Sequence, residues 1–245
     1  MALVLLSVAV ASTACAGSGG LLKQQYEYEE ELYLALDGSA TLNVNASVAS
    51  LVALRGADLP IDPHARIDRA QVRALYAGGG ADPIVSLSRR DGRRFVHVSV
   101  NVDDVRQLSR IAPLAWSTYR FDRGNDSVEY RQAVGAPSGK PVGDVGWTGN
   151  EVVAFRMHVP SKIEFHNTPS HRIERGNILE WEQPLRERMA GTPLELRVQM
   201  QPQSILANTL LLFGSMVVAA AVVFGLVIWW VARRGAEPDA IRSRP

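Results

Sequence analysis

The sequence predicts an α+β domain, mainly an antiparallel β-hairpin sheet with short helices, followed by one C-terminal transmembrane helix. Three observations carry this. Between residues 26 and 200, apolar and polar residues alternate in run after run, with Asp-Gly, Gly-Asn and Gly/Pro turn signals between the runs. In the first half, three stretches switch to helical spacing. Residues 205–232 hold no charged side chain, and soluble core helices seldom run so long without one.

The elements follow in chain order. Residues 2–11 (ALVLLSVAVA) are an apolar run of ten, too short to span a bilayer and followed by small residues, the layout of an export signal. The basic residues that usually open such a signal are missing, so the start lies upstream of Met1 or the signal is a weak one. The one cysteine follows, in Ser12-Thr13-Ala14-Cys15, and two readings of it stay open. In the first, the signal covers residues 1–15 and Cys15 is the lipidation site of a bacterial lipobox, its thiol taking a diacylglyceryl group. Lipoproteins usually carry Leu where Ser12 stands. In the second, Ala14-Cys15-Ala16 is an A-x-A site and Cys15 leaves with the signal. A lone Cys directly after Ala at the end of an apolar run favours the first. Residues 16–20, rich in Gly and Ser, then form a flexible tether.

The folded domain is expected over residues 21–204. Residues 26–36 (YEYEEELYLAL) alternate as a half-buried strand, with Tyr26, Tyr28, Leu32, Leu34 and Leu36 on one face and Glu27, Glu29 and Glu31 on the other. The glutamate row reads as a solvated face, because an acid/base or metal cluster needs Asp or His close by. Asp37-Gly38-Ser39 turns the chain, and residues 40–46 return with Leu42, Val44 and Ala46 inward. Ser47 caps a helix on Val48, Leu51 and Val52 that stops at Gly56. Asp68 with Gln71 opens a second, striped by Val72, Leu75 and Tyr76, and Gly78-Gly79-Gly80 ends it as a plain stop without phosphate-loop spacing.

Residues 84–90 and 93–102 pair about Asp91-Gly92, with Val96, Val98, Val100 and Val102 on one face. Arg89, Arg90, Arg93 and Arg94 flank the tip; an ordinary basic turn is the plain reading and contact with phospholipid headgroups the functional one. Asp103 is expected to open a helix on Val105, Leu108 and Ile111, ended by Pro113. Residues 119–123 and 128–134 form another strand pair. Residues 135–149, with five glycines and two prolines, read as a long mobile loop inserted in a single domain. Beyond it come a strand on Val153, Phe155, Met157 and Val159, then Ile163 and Phe165, then a Gly176-Asn177 turn into Leu179 and Trp181. The last strand carries Leu194, Leu196, Val198 and Met200.

The transmembrane helix is expected over residues 205–232. Its most apolar part, residues 210–231, rises about 1.5 Å per residue and so spans roughly 33 Å, the thickness of the hydrocarbon layer. Trp229 and Trp230 fall at an interfacial belt, and Arg233 and Arg234 assign the short tail, residues 233–245, to the cytoplasm and the domain to the other side. Small residues at Ser215/Ala219 and Ala221/Gly225 offer faces for lateral helix–helix association.

Composition narrows the function. A net charge of +1 and 7% aromatic residues give no sign of a nucleic-acid partner, and one cysteine allows no internal disulfide. The histidines, His64, His97, His158, His166 and His171, make no HExxH motif. His166 and His171 flank a turn and with His158 are the best candidate metal clip, but exposed strand and loop histidines are the stronger reading, so no metal and no cofactor are expected. There is no G-x-S-x-G elbow, and no residue is assigned a catalytic role.

Residues 159–185 (VPSKIEFHNTPSHRIERGNILEWEQPL) resemble the end of an LppM-type lipoprotein domain, a family of bacterial envelope proteins found in mycobacteria and elsewhere. The matching positions are Pro160, Lys162, Ile163, His166, Asn167, Gly176, Asn177 and Trp181; Ser161 replaces the usual Gly, and Thr168-Pro169 lengthens the turn. The resemblance implies an α+β fold and a cavity for a lipid or similarly apolar ligand. The expected protein is therefore a non-enzymatic, single-pass protein of the bacterial cytoplasmic membrane that faces outward and handles a lipid. The rival expectation is an interaction or scaffold protein of an envelope complex.

Overall fold

The computed structural model describes residues 25–234, so the expected export signal, Cys15 and most of the C-terminal tail lie outside the described residues. The chain order is β1 (Gln25–Leu34), β2 (Ala40–Ser47), α1 (Val48–Arg55), α2 (Arg69–Tyr76), β3 (Ile84–Arg90), β4 (Arg93–Val102), β5 (Ser117–Arg123), β6 (Val128–Val134), β7 (Glu151–His158), β8 (Ser161–His166), β9 (Ile178–Pro184), α3 (Leu185–Met189), β10 (Leu194–Ser204) and α4 (Ile205–Arg234). Two 3-10 turns, Val105–Arg110 and Ala112–Leu114, lead into β5.

The fold is α+β, as the alternation predicts, but the strands divide between two sheets. One has six strands in the order β3-β4-β2-β1-β7-β9 and the other four, β5-β6-β10-β8. Hairpin neighbours pair antiparallel; the exception is β1, which runs parallel to β7 with Tyr33 opposite His158. Parallel strands are normally covered on both faces, and Val152, Val153, Ala154 and Phe155 of β7 are all buried. Between the sheets Leu42, Val44, Val98, Val100 and Phe155 meet Tyr130, Leu196 and Val198 in one core. The sheets close on each other at β8 and β9, where residues of the recognised stretch do the joining. Asn167 Oδ1 accepts from Trp181 Nε1 (3.1 Å) and from Arg197 N (2.8 Å), and Asn177 Nδ2 donates to Ser161 O (3.1 Å).

Helix α1 has the predicted caps: Ser47 Oγ accepts from Ser50 N at 3.0 Å, and Gly56 takes the left-handed conformation at φ 63° that glycine adopts without strain. Asp68 caps α2 through Ala70 N at 2.8 Å, whereas Gln71 donates to Asp58 O instead of closing a capping box. The helix expected after Asp103 is a 3-10 turn, and its cap is Asp104, which accepts from Arg106 N at 2.9 Å. The Gly78–Gly80 triplet is more than a stop. A Cβ on Gly78 would stand 2.8 Å from Arg110 O, and one on Gly79 3.1 Å from Gln107 O, so these glycines let the loop lie against the 3-10 turn.

Residues 135–149 form a loop without helix or strand, but the expectation of a mobile insertion does not describe them. Ser138 N donates to Leu54 O (3.1 Å) and Lys140 N to Val52 O (3.0 Å), so the segment lies along α1 and satisfies carbonyls at its C-terminal end. At its far end the Glu151 carboxylate accepts from Thr148 N (2.6 Å) and Gly149 N (2.8 Å). Burial works to raise the Glu151 carboxyl, and these backbone N–H groups outweigh it and hold it below the ordinary range.

Strand β10 ends at Ser204 and α4 begins at Ile205, with no linker between. Within α4, Thr209–Arg233 is long and apolar enough to cross a membrane, and none of it is buried against the domain. Leu211 and Leu212 are more than 70% exposed, which in water leaves a large apolar surface uncovered.

Candidate functional site

The strand registers fix which end of the domain carries the apolar helix. Ser204, the last residue of β10, pairs with Ser161 at the start of β8. Ser161 lies three residues beyond His158, the end of β7, and His158 pairs with Tyr33 near the end of β1. The β1–β2 turn therefore lies at the helix end, and the Phe121 ring packs there within 3.0 Å of where a Gly38 Cβ would stand. A cleft of about 690 Å³ opens at this end. Tyr33 and Thr41 line it from the first hairpin, Asn101 and Asp103 from the end of β4, and Gly80 and Gln107 from the two loops beyond.

The wall of the cleft is a set of neutral hydrogen-bonding groups with one carboxylate. Thr41 Oγ1 donates to Asn101 Oδ1 at 2.7 Å. The Tyr33 ring stacks on His158 at 3.9 Å and 11°, and both side chains hydrogen-bond Glu31 Oε1, at 3.0 and 2.8 Å. Burial pushes the Glu31 carboxyl up, but the His158 and Tyr33 hydrogen bonds more than reverse this and keep it low. Such a wall suits a polar, hydroxyl-rich group.

A second polar constellation lies between the sheets. Glu30 is 2% exposed, on the same face of β1 as Tyr28 and Leu32. Its Oε1 accepts from Tyr28 OH (2.7 Å) and Trp116 Nε1 (3.2 Å), and its Oε2 from Gln132 Nε2 (3.2 Å). Tyr28 belongs to the first sheet and Gln132 to the second, so the carboxyl clamps one to the other. Burial raises the Glu30 pKa and outweighs the three donors and the nearby Arg55 charge. A folded pKa above the ordinary 4.5 means that the folded chain holds the proton more tightly than the unfolded chain. The stabilisation is then full below that ordinary value and is lost as pH rises through the folded one. Urea titrations of the full chain in detergent micelles, from about pH 4 to about pH 8, should show wild type losing stability relative to Glu30→Gln. A gap that stays constant across that range would mean that folding leaves the Glu30 pKa where it is in the unfolded chain.

The other sequence candidates are placed as follows. The glutamate row is paired rather than freely solvated: Glu27 with Arg93, Glu29 with Arg156, and Glu31 with His158. Glu27 is only 1% exposed because β1 carries a bulge between Tyr26 and Tyr28 that shifts its register. The arginine-rich hairpin tip lies at the opposite end from α4, beside the start of β1, where Arg90 donates to Tyr26 O at 3.1 Å. Arg89 donates to Pro63 O (2.9 Å) and Arg94 to Ala65 O (2.7 Å), so these cations pin loops. His158 and His166 are spent on Glu31 and Thr168, and no group of three metal-ligating side chains occurs among the described residues. Sequence reasoning missed Glu30, although its even position among Tyr28, Leu32 and Leu34 was the signal. It also missed the cleft, which four separated segments build.

No family model matches the sequence, and no curated protein gives a significant match. Among solved structures, the chain is similar to the folded domain of LppM from Mycobacterium tuberculosis, determined by NMR. The TM-score is 0.41 at 14% identity, over 76% of this chain and 95% of that one. The likeness brings no residue role, ligand or partner across to this chain.

Proposed function

We propose that this chain is a membrane-anchored envelope protein whose domain, outside the bacterial cytoplasmic membrane, binds an amphipathic lipid without chemical turnover. One observation carries the reading: β10 runs directly into an apolar helix, and the polar cleft opens at that same end of the domain. With no linker the domain has little reach, so a group that fits the cleft is one found at the bilayer surface. Arg233 and Arg234 after the span favour a cytoplasmic tail. An acylated Cys15 would add a second, weaker anchor to that of the spanning helix. The small-residue faces of α4 offer a site for lateral association, and the bilayer itself is the remaining partner.

The test uses the full chain, purified in detergent and exposed to envelope lipid extract, with retained lipid read by native mass spectrometry. Wild type should keep lipid, and Asn101→Trp, which fills the cleft from an exposed position, should keep markedly less. Equal retention by the two would remove the cleft from the proposal; no retention by either would remove lipid binding. Protease added to intact spheroplasts should trim the domain, and full protection would reverse the orientation.

A further inference from the structure

The outer face of the six-stranded sheet carries a hydrogen-bonded row that lipid binding does not use. It crosses four adjacent strands, β3-β4-β2-β1. Ser88 Oγ lies 2.7 Å from His97 Nε2, His97 Nδ1 lies 2.8 Å from Asn45 Oδ1, and Asn45 Nδ2 donates to Glu29 Oε2 at 3.2 Å. Glu29 is in turn ion-paired with Arg156 on β7.

The carboxylate at one end fixes every proton in the row. An ionised Glu29 only accepts, so Asn45 turns its amide nitrogen to Glu29 and its carbonyl oxygen to His97. That oxygen requires the His97 proton on Nδ1. His97 Nε2 is then a lone pair, and the Ser88 hydroxyl is its donor. All donors therefore point one way, from serine to carboxylate, which is the nucleophile–base–orienter arrangement of acyl-transfer sites.

One further feature fits. Arg90 lies two residues from Ser88 on the same face of β3, its guanidinium over the Phe95 ring at 4.4 Å, and one of its donors goes to Tyr26 O. The Arg90 guanidinium thus lies over the residue paired with Ser88, and a cation on this face favours negative charge developing there.

We propose that Ser88 is an activated nucleophile that accepts the acyl group of small carboxylic esters, an activity separate from lipid binding at the cleft. Ser88 Oγ bonds to the ester carbonyl carbon while its proton passes to His97 Nε2. The bond from that carbon to the alcohol oxygen then breaks, and the alcohol leaves with the His97 proton. Water, deprotonated by His97, releases the acid and returns the proton to Ser88. Asn45 and Glu29 are positioning residues.

The full chain in detergent is treated with a fluorophosphonate probe and, separately, with p-nitrophenyl acetate, and adducts are located by intact and peptide mass. One adduct per chain is expected, on Ser88, and Ser88→Ala removes it. His97→Gln should slow labelling by about 10²-fold or more. The charged groups facing His97 are Arg90 and, beyond Asn45, Glu29 with Arg156. Burial and then Arg90 lower the His97 pKa, so the labelling rate should rise with pH through one ionisation below the ordinary histidine value. Asn45→Ala should slow labelling by about tenfold and displace that ionisation, with an unchanged circular dichroism spectrum. Absence of an adduct, equal labelling of other serines, or a Ser88→Ala chain that labels like wild type would overturn the proposal. An Asn45→Ala chain with unaltered rate and pH profile would overturn the positioning role.

Discussion

Replacing Trp116 by alanine should cost about 3–5 kcal/mol of stability, among the largest losses available from one side chain here. Trp116 is 8% exposed and stands where both sheets, α1 and α3 converge. Tyr28 meets it edge-on at 5.4 Å, and Phe155 packs at 6.1 Å. The guanidiniums of Arg55 and Arg188 lie over its rings at 4.3 and 5.6 Å. Burial lowers the pKa of both arginines, so removing the ring would leave two poorly hydrated cations without their aromatic partner. The indole N–H also donates to Glu30, and losing it leaves that carboxyl with two donors. Trp116→Phe separates these contributions. It keeps most of the ring and removes the donor, which should cost about 1–3 kcal/mol and push Glu30 further up. Urea denaturation of both variants in micelles, followed by circular dichroism, measures the difference. A loss below about 1 kcal/mol for Trp116→Ala would show that the junction is not a packing centre.

The strands were legible because each is half-buried and alternation reports a half-buried face directly. Val96, Val98, Val100 and Val102 lie inward as read, and so do Leu42 and Val44. The partnership of strands was legible only where a tight turn joins them. Nothing local announces that β7 lies parallel to β1, because residues more than a hundred positions apart supply the pair. Glu30 is a different failure. Its parity was visible, but a run of three glutamates draws attention to charge and away from which one shares a face with tyrosine and leucine.

The bulge at Tyr26/Tyr28 broke the parity rule outright and carried Glu27 inside. The polar cleft and the Ser88–His97–Asn45 row share one reason for being hidden. Each gathers side chains from several strands, and only the register decides that Ser88 falls diagonally beside His97 rather than one residue off.

Composition identified residues 135–149 as a loop but gave no hint of what holds it, and Gly139 shows how firmly it is held. A Cβ there would lie 1.7 Å from Ala53 O and 2.6 Å from Val52 O. Both neighbours are backbone atoms of α1, so no flexible side chain can yield. Gly139→Ala must lift the loop from the helix or bend the helix away. Lifting breaks the bonds from Ser138 N to Leu54 O and from Lys140 N to Val52 O, each worth about 1 kcal/mol. It also loosens Val142 and Trp147, which pack against the core from the same loop. The expected loss is about 2–4 kcal/mol, together with new protease cleavage within residues 135–149. Lys140→Ala is the control. Its backbone N–H survives and its exposed ion pair with Asp58 is weak, so it should stay within about 0.5 kcal/mol of wild type. Were Gly139→Ala as stable and as protease-resistant as Lys140→Ala, the loop would not be seated on α1.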